Sequence, residues 1–294
     1  MELSVCVTDD EYEAWRAVRL AVEPGSRTHG LEELRAQDSS DRLLLLAVED
    51  GDVVGSGIAD RAETAGAGFV APRVLPEHRR LGVGSALLHA LAEHCGGLHV
   101  STMSTHVDDE GSLAFADHFG FVEVDREVEQ VRAVGDEPAP SAPPAGIGVI
   151  DASQRPDLWA ACFERFGKEV LADFALYTPL EISAEQWNAE WGGDPMWLAL
   201  FDDEVIGCAG LNRDTDRPER AENALTAVSR AWRGRGVASH LKRRTLHWAA
   251  LNGLEEIYTW TQAGNSSMLR LNEHLGYVTT RNAIAVSRAL PLTT

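Results

Sequence analysis

Two arginine- and glycine-rich stretches are the residues of this chain best suited to chemistry. The first reads RRLGVG at 79–84 and the second reads RGRGVA at 233–238, and each runs directly into an amphipathic segment. A helix that begins there presents unpaired N–H groups and a partial positive charge. Glycine lets the backbone approach a ligand closely, and arginine adds formal charge. The two stretches therefore predict anion sites suited to a diphosphate.

Neither stretch is one of two familiar phosphate loops. The chain has no GxxxxGKS/T sequence. A dinucleotide-binding fingerprint needs a third glycine at 87 or 239, where the sequence has Leu87 and Ser239. The pattern that remains is R/Q-x-x-G-x-G/A between a strand and a helix. The predicted diphosphate-binding residues are Arg79, Arg80, Leu81, Gly82, Val83, Gly84 and Ser85 in the first half, and Arg233, Gly234, Arg235, Gly236, Val237 and Ala238 in the second.

The elements that must position these loops recur in the same order in both halves. Each half has an apolar hairpin with an acidic turn, LLLLAVEDGDVVGSGIA or WLALFDDEVIGCAGL, and then a strand, the loop and a helix. A further strand follows, LHVSTMS or EIYTWTQ, and then a short helix that ends in Gly-Phe or Gly-Tyr. Each half also starts with a strand and helical segments, with Asp9 or Asp151 as the predicted N-cap. We predict an α/β protein made of a duplicated domain, each copy with a mixed sheet flanked by helices.

A Pro- and Ala-rich stretch divides the chain almost in half. Residues 134–146, VGDEPAPSAPPAG, lack apolar periodicity and predict an extended linker. The expected domains are therefore residues 1–133 and residues 147–294.

Composition excludes several classes of function. The 294 residues are 44% hydrophobic and 24% charged, as in a globular protein, and the net charge of −20 disfavours binding to nucleic acid or anionic membranes. No apolar run is long enough to span a membrane, and the acidic N-terminus does not resemble a signal peptide, so we expect a cytoplasmic protein. The cysteines are far apart and the histidines lack metal-ligand spacing, which predicts buried thiols and no metal site.

Both halves resemble the GNAT superfamily of acyl-CoA-dependent N-acyltransferases. The resemblance covers nearly the whole chain apart from the linker. It is specific in the second half, where TAVSRAWRGRGVASHLK followed by TWTQAGNSSMLRLNEHLGY is similar to tandem-domain bacterial members. It implies that acetyl-CoA is the acyl donor, that the loops hold its diphosphate, and that the preceding strands bind pantetheine through their backbones. The implied pantetheine-binding residues are Ala227, Val228, Arg73 and Val74, with Asn265 near the thiol.

The resemblance also implies direct attack of an amine on the thioester. Glu222, near the start of the strand that ends at Val228, matches an acidic residue of the tandem bacterial members and is the predicted base. The family's proton donor is often a tyrosine four residues before the terminal Gly-aromatic pair, but here Ala116 and Asn272 stand at those positions. Asn272 could hydrogen-bond the sulfur and is the second predicted catalytic residue.

The first half departs from this pattern. It has Gly68 at the place that matches Glu222, and Pro72 removes one backbone donor from its strand. A bulge could tolerate this proline, but contacts with pantetheine would be fewer. We therefore expect the second half to transfer acyl groups and the first to have a structural or regulatory role. On the acceptor side, the candidates are Trp187, Trp191, Glu185, Glu190 and Asp173, for which core packing or a solvated helix face is the alternative interpretation.

Three functions remain open at this point, of which one, acetylation of peptide or protein N-termini, would need an open cleft and not a pocket closed by Trp-bearing helices. The leading hypothesis is an acetyl-CoA-dependent N-acetyltransferase that acts on a primary amine of a small molecule in a ternary complex. The alternative is an acyl-CoA-binding regulatory or structural protein without transferase activity, which the missing tyrosine favours. The sequence makes no prediction about the oligomeric state.

Overall fold

The computed structural model describes residues 1–27, 29–62, 66–174 and 182–292. These residues form two compact units. Unit 1 consists of residues 1–126 and 283–294, and unit 2 of residues 127–282. Each unit contains a mixed β-sheet with helices, which confirms the predicted α/β class and the tandem arrangement.

The elements follow one another in the same order in the two repeats. The first repeat contains β1 (Glu2–Val5), α1 (Asp9–Val22), α2 (Leu31–Ala36), β2 (Leu43–Glu49), β3 (Asp52–Arg61), β4 (Ala67–Val74), α3 (Val83–Gly97), β5 (Thr102–Val107), α4 (Glu110–His118) and β6 (Val122–Ala133). The second contains β7 (Gly148–Asp151), α5 (Pro156–Cys162), α6 (Lys168–Phe174), α7 (Ala184–Trp191), β8 (Met196–Phe201), β9 (Glu204–Arg213), β10 (Arg220–Val228), α8 (Val237–Leu251), β11 (Glu256–Gln262), α9 (Ser266–His274) and β12 (Val278–Ala289).

The two sheets have the same strand order. In unit 1 the order is β1-β2-β3-β4-β5, and in unit 2 it is β7-β8-β9-β10-β11. Within each sheet one pair is parallel, β4 with β5 and β10 with β11, and the other pairs of this series are antiparallel. The strand that carries each predicted loop is thus a member of the parallel pair.

The last strand of each sheet comes from the other repeat. The end of β12 pairs with β5 in unit 1, with Ile284 opposite Val107. The end of β6 pairs with β11 in unit 2, with Glu127 opposite Gln262. The domain limits 1–133 and 147–294 follow the chain order and remain a prediction about the repeats, whereas the compact units exchange one strand in each direction.

Helices pack apolar side chains on both faces of each sheet. In unit 1, Leu87 and Leu91 of α3 pack on one face and Trp15 of α1 on the other. In unit 2, Leu241 of α8 packs on one face and Trp187 of α7 on the other. All four cysteines are buried thiols, which confirms that prediction. No helix within the described ranges has the length and apolar character needed to cross a membrane.

Local capping differs from the expectation in one repeat. The N-cap of α1 is Thr8 and not Asp9, because Thr8 and Glu11 form a reciprocal capping box. Asp151 does cap a turn, but the turn is a short 3₁₀ segment at Ala152–Gln154. The first residues of the predicted linker contact unit 2. Nδ1 of His247 on α8 lies 2.8 Å from the carbonyl oxygen of Glu137.

Candidate active site

The loop of unit 2 leads from β10 into the N-terminus of α8. Gly234 and Gly236 have φ angles of 73° and 82°, a left-handed region that side chains with a Cβ atom rarely adopt. A Cβ atom added at either glycine would have no heavy atom within 4 Å. The front of α8 is therefore open, with N–H groups that the helix itself leaves unpaired and with space for a diphosphate.

Unit 1 has the same loop geometry. Gly82, the N-cap of α3, has a φ of 90° and equally open surroundings. Nε of Arg79 donates to the carbonyl oxygen of Val74 at 3.1 Å, and Nε of Arg233 donates to that of Val228 at 2.9 Å. The first arginine of each motif thus ties the loop to the last residue of the preceding strand, in addition to supplying charge.

Two carboxylates of α6 contact the loop of unit 2. Asp173 accepts a 2.6 Å hydrogen bond from Nη2 of Arg230 and another from Nη2 of Arg233. Glu169 accepts from the backbone nitrogen of Arg230 and, at 3.3 Å, from Oγ of Ser229. Burial raises the pKa of Asp173, but the hydrogen bonds from the arginines outweigh burial and hold that pKa below its ordinary value. Arg233, which is predicted to lie near the diphosphate, is thus already paired with a carboxylate.

The parallel strands of unit 2 separate beside this loop. The pairing of β10 with β11 covers Arg220–Glu222 and ends there. The pairing of β10 with β9 shifts by one residue between Asn223 and Thr226, which is a β-bulge. Beyond Glu222 the edge of β10 that faces β11 is open, and this edge includes the backbones of Ala227 and Val228.

The parallel strands of unit 1 separate without a bulge. β4 pairs with β5 over Ala67–Phe69, while its register with β3 is continuous. The bulge considered for Pro72 is therefore not formed. Gly57 lies opposite Pro72, and its carbonyl oxygen accepts a 2.9 Å hydrogen bond from Nε1 of Trp15. The indole supplies a donor beside the one residue type that has no N–H.

Arg73 and Val74, the implied pantetheine-binding residues of unit 1, lie on the open part of β4. The Arg73 side chain is only 6% exposed. Its Nε donates to Glu23 at 2.7 Å, and its guanidinium lies 5.6 Å from the centre of the Trp15 ring. The Arg73 side chain is therefore committed to packing against α1.

The bulge also changes the correspondence between the two repeats. β3 and β9 each have ten residues, and their next-to-last residues, Asp60 and Asn212, lie opposite Phe69 and Glu222. Phe69 is therefore the counterpart of Glu222. The expectation that Gly68 stands at this place is wrong, because counting back from the loop does not allow for the extra residue in the bulge.

Glu222 lies at the point where β10 and β11 separate. Its Oε2 accepts a 3.4 Å hydrogen bond from Oη of Tyr258, the residue opposite it on β11. The same hydroxyl also donates to Oδ1 of Asp214 at 3.2 Å, so the two carboxylates share its single proton. Burial, followed by the two nearby carboxylates, raises the pKa of Tyr258, so the hydroxyl remains a donor. Glu222 itself is half-buried, and its carboxylate combines a fixed position with access from outside.

The positive charge of Arg220 offsets part of the negative charge of the nearby carboxylates. Its guanidinium lies 2.6 Å from Glu256, 3.5 Å from Asp214 and 3.8 Å from Glu129. It also lies 3.8 Å from the centre of the Tyr258 ring. Because the side chains of Arg220, Asp214 and Glu129 are each 4% exposed, the three charges need one another to offset their lost hydration.

A second polar group lies beside the strand separation. Since side chains alternate along a strand, Asn223 points away from the face of Glu222. Its Nδ2 donates to the carbonyl oxygen of Tyr258 at 3.2 Å and to Oη of Tyr277 at 3.2 Å, while its Oδ1 accepts from Nζ of Lys242 at 3.3 Å. Lys242 is 1% exposed, and burial lowers its pKa to about 7.

The corresponding positions of unit 1 are apolar or small. By strand register and helix start, the counterparts of Glu222, Asn223, Lys242, Tyr258 and Tyr277 are Phe69, Val70, Leu88, Ser104 and Phe121. The polar groups at the strand separation are thus a property of unit 2. The sequence patterns missed all but Glu222, although a lysine directly after Leu241 in the apolar stripe of a helix was an available signal.

The two predicted asparagines have structural partners. Asn272 is fully buried, and its Nδ2 donates to Oε1 of Gln130 at 2.9 Å. Its Oδ1, which can only accept, has no partner among the described residues. Asn265 is the N-cap of α9 and accepts from the backbone nitrogen of Met268 at 3.2 Å. Their contacts with the thiol remain predictions.

The acceptor-side candidates divide into separate groups. Trp187 is fully buried and packs edge-on against Trp191, with 4.9 Å between ring centres, so it is a core residue. Asp173 pairs with the loop, as stated above, and Glu185 is exposed in the first turn of α7. The side chain of Glu190 lies outside the described residues. In the part of the chain that the structure describes, no three His, Cys, Asp or Glu side chains are arranged to hold a metal ion.

Comparison with known proteins identifies relatives of both repeats. The acetyltransferase (GNAT) family matches residues 8–121 and 157–277. A mycothiol acetyltransferase of Brachybacterium faecium is 30% identical over 225 residues, which cover 72% of this chain and 65% of that protein, slightly less than two thirds of its length. A mycothiol acetyltransferase of Thermomonospora curvata is 28% identical over 84% of this chain and 82% of its own. A rat N-acetylaspartate synthetase is 30% identical over 37% of each chain.

Solved structures share the fold over the full length. A tandem GNAT protein from the clavulanic acid biosynthesis pathway matches 100% of both chains with a TM-score of 0.78 and 19% identity. A GCN5-related N-acetyltransferase from Sphaerobacter thermophilus matches 98% of this chain and 95% of its own with a TM-score of 0.73 and 18% identity. Each repeat thus has the loop, the separated strands and a family match of its own, and the chain belongs to the acetyltransferase (GNAT) family as an acyltransferase with two such domains in tandem.

Proposed function

We propose that the protein is an acetyl-CoA-dependent N-acetyltransferase that acts on a primary amine of a small molecule, with unit 2 as the catalytic domain. The observation that carries this proposal is the half-buried carboxylate of Glu222 at the point where β10 and β11 separate, on the strand that leads into an open diphosphate loop. Relatives named mycothiol acetyltransferase and N-acetylaspartate synthetase support a small-molecule acceptor.

The residues of unit 2 fit coenzyme A. The space in front of Gly234 and Gly236 and the N-terminus of α8 suit a diphosphate. The open edge of β10 offers the backbones of Ala227 and Val228 to the pantetheine chain. This edge ends at Glu222, so a carrier bound along it directs its thioester toward the carboxylate.

The chemistry follows from these positions. Acetyl-CoA, when bound, supplies an activated thioester, which the amine attacks directly in a ternary complex. An alkylammonium with a pKa near 10 costs about 4 kcal/mol to deprotonate at pH 7, and Glu222 accepts that proton directly or through water. The hydroxyl of Tyr258 holds the carboxylate in place. Ala224 and Leu225 lie in the bulge, and their N–H groups are the proposed donors to the carbonyl oxygen under attack.

The leaving thiolate requires little help. Its pKa is about 8.5, so it can depart without a general acid. Nδ2 of Asn272 is engaged with Gln130, and we therefore assign it no proton transfer.

Release of free thiol from acetyl-CoA tests the proposal. A panel of L-aspartate, D-glucosamine and spermidine serves as acceptors, and the most active amine is used for kinetics. We expect Glu222→Gln to lower kcat by about a hundredfold or more with little change in the KM for acetyl-CoA. The matched control is Glu219→Gln, since Glu219 is a partly exposed carboxylate paired with Arg217 just before β10. Amine-dependent release that survives Glu222→Gln would disprove the role of the base.

The alternative function has one observation in its favour. The position that often holds the family's tyrosine is Asn272, a buried residue bonded to the sheet. An acyl-CoA-binding protein without transferase activity would show a higher melting temperature with acetyl-CoA but no thiol release with any amine of the panel.

A further inference from the structure

Lys242 is a buried lysine at a helix position where unit 1 has a leucine. Its side chain is 1% exposed, and its hydrogen bond goes to a neutral amide, Oδ1 of Asn223 at 3.3 Å. Among the described residues no carboxylate pairs with it, in contrast to Arg220, which contacts three. Nζ also lies 4.9 Å from the centre of the Tyr277 ring, which offsets part of the cost of burying an amine without a counter-charge. Unit 1 builds the same helix with Leu88 at this position, so the lysine indicates a role other than packing.

The amide that Lys242 contacts bridges the two strands at their separation. Tyr258 is the last residue of β11 that pairs with β10. Nδ2 of Asn223 donates to the carbonyl oxygen of Tyr258 at 3.2 Å. Through this hydrogen bond the Asn223 side chain links the two strands just beyond their last backbone pair. An amide has a donor end and an acceptor end, and a lysine is a donor. By engaging Oδ1, Lys242 fixes the orientation that directs Nδ2 to Tyr258.

Tyr258 is consequently held at both ends by consecutive residues of β10. Asn223 binds its carbonyl oxygen, and Glu222 accepts from its hydroxyl at 3.4 Å. We propose that Lys242 is a positioning residue for acyl transfer, which acts through Asn223 and Tyr258 to hold the carboxylate of Glu222 toward the acceptor amine. This inference rests on the proposed function of unit 2.

Two substitutions test the inference. Lys242→Leu introduces the residue of unit 1, and Lys242→Met keeps the length of the side chain. With acetyl-CoA and the most active amine of the panel, we expect kcat to fall by about ten- to a hundredfold, because a small displacement of the base is costly. The KM for acetyl-CoA should stay within about twofold, since the diphosphate loop is unchanged. The melting temperature should be equal or higher, because the uncompensated amine is gone.

The control is Thr245→Val on the same helix. Thr245 is fully buried, and its hydroxyl bonds back to the carbonyl oxygen of Lys242 at 2.8 Å. This variant should keep its kcat. An unchanged kcat in both Lys242 variants would overturn the inference. A fall in kcat accompanied in both by a lower melting temperature and a weaker carrier-induced shift would also overturn it, because the lysine would then be a structural residue.

A double-mutant cycle with Asn223→Ala identifies the route. If Lys242 acts through Asn223, Lys242→Leu lowers kcat much less in the Asn223→Ala background than in the wild type. Additive losses would contradict the inference. Failure of the proposed function is recognised separately, because the wild type itself would then release no thiol with any amine, and the inference would fall with it.

Discussion

Nη2 of Arg230 lies 2.6 Å from Oδ1 of Asp173, and the same carboxylate also binds Arg233. Helix α6 therefore places a negative charge within the anion site of unit 2. In unit 1, Arg79 is the counterpart of Arg233. It donates to the carbonyl oxygen of Val74, and no ion pair of Arg79 is present among the described residues. If the loop of unit 2 binds a diphosphate as we propose, Asp173 would compete with it for the same guanidinium groups.

Asp173→Asn should strengthen carrier binding. It removes a charge that repels the diphosphate and frees the two arginines, so we expect the KM for acetyl-CoA to fall by about threefold at low salt. Steady-state kinetics at two ionic strengths measure this, with Asp157→Asn on α5 as an exposed control that pairs with Arg155. A rise in KM would mean instead that Asp173 orients the arginines for binding.

Gly236→Ala and Gly82→Ala form a matched pair. Both glycines precede 15-residue helices with φ angles of 82° and 90° and open surroundings, so alanine should strain each loop by about 1–2 kcal/mol. Because we place acyl transfer in unit 2, the loss of kcat/KM for acetyl-CoA should be at least about tenfold larger for Gly236→Ala. Equal losses of kcat/KM would contradict the assignment of acyl transfer to unit 2, provided that both variants lower the melting temperature by the same amount.

Tyr258→Phe should move the pH profile. Removing the hydroxyl takes from Glu222 a hydrogen-bond donor that it shares with Asp214, and a carboxylate that loses a donor is protonated more readily. The acid limb of kcat/KM should therefore shift to higher pH. Tyr12→Phe in unit 1, which loses a contact with Asp38, is the control. An acid limb that stays in place would separate Tyr258 from the base.

Lys242 should make stability depend on pH. Burial lowers its pKa in the folded protein to about 7, against about 10.4 in the unfolded chain. Between these values the unfolded state binds more protons, so this group contributes stability that rises with pH from about 7 to about 10. The difference in unfolding free energy between Lys242→Leu and the wild type should be largest at pH 7 and should shrink toward pH 10. Urea unfolding measures it, and a constant difference would refute the expectation.

Removal of the end of β12 should destabilise unit 1. A chain that ends after Asn282 lacks residues Ile284–Ala289, which pair with all of β5. The amides of β5 should then exchange their hydrogens much faster, although they are far away in sequence. A shorter deletion that starts at Pro291 is the control. Protection of β5 that survives the longer deletion would contradict the strand exchange.

The sequence was sufficient for the parts of the fold that depend on local patterns. The hairpins, the loop glycines and the strand at Glu256–Gln262 follow from alternation, turn residues and helix starts, and the structure confirms them. The correspondence of Glu222 with Gly68 failed because residue spacing does not show that the extra residue of the second repeat lies within the strand. Long-range pairings were equally inaccessible, since nothing local relates Tyr258 to Asn223 or β12 to β5.

The exchanged strands make each unit depend on both repeats. The connectivity is that of two swapped subunits joined end to end by the stretch after Ala133. Neither repeat carries all the strands of its own sheet. A gene shortened to one repeat would therefore encode a sheet that lacks its last strand.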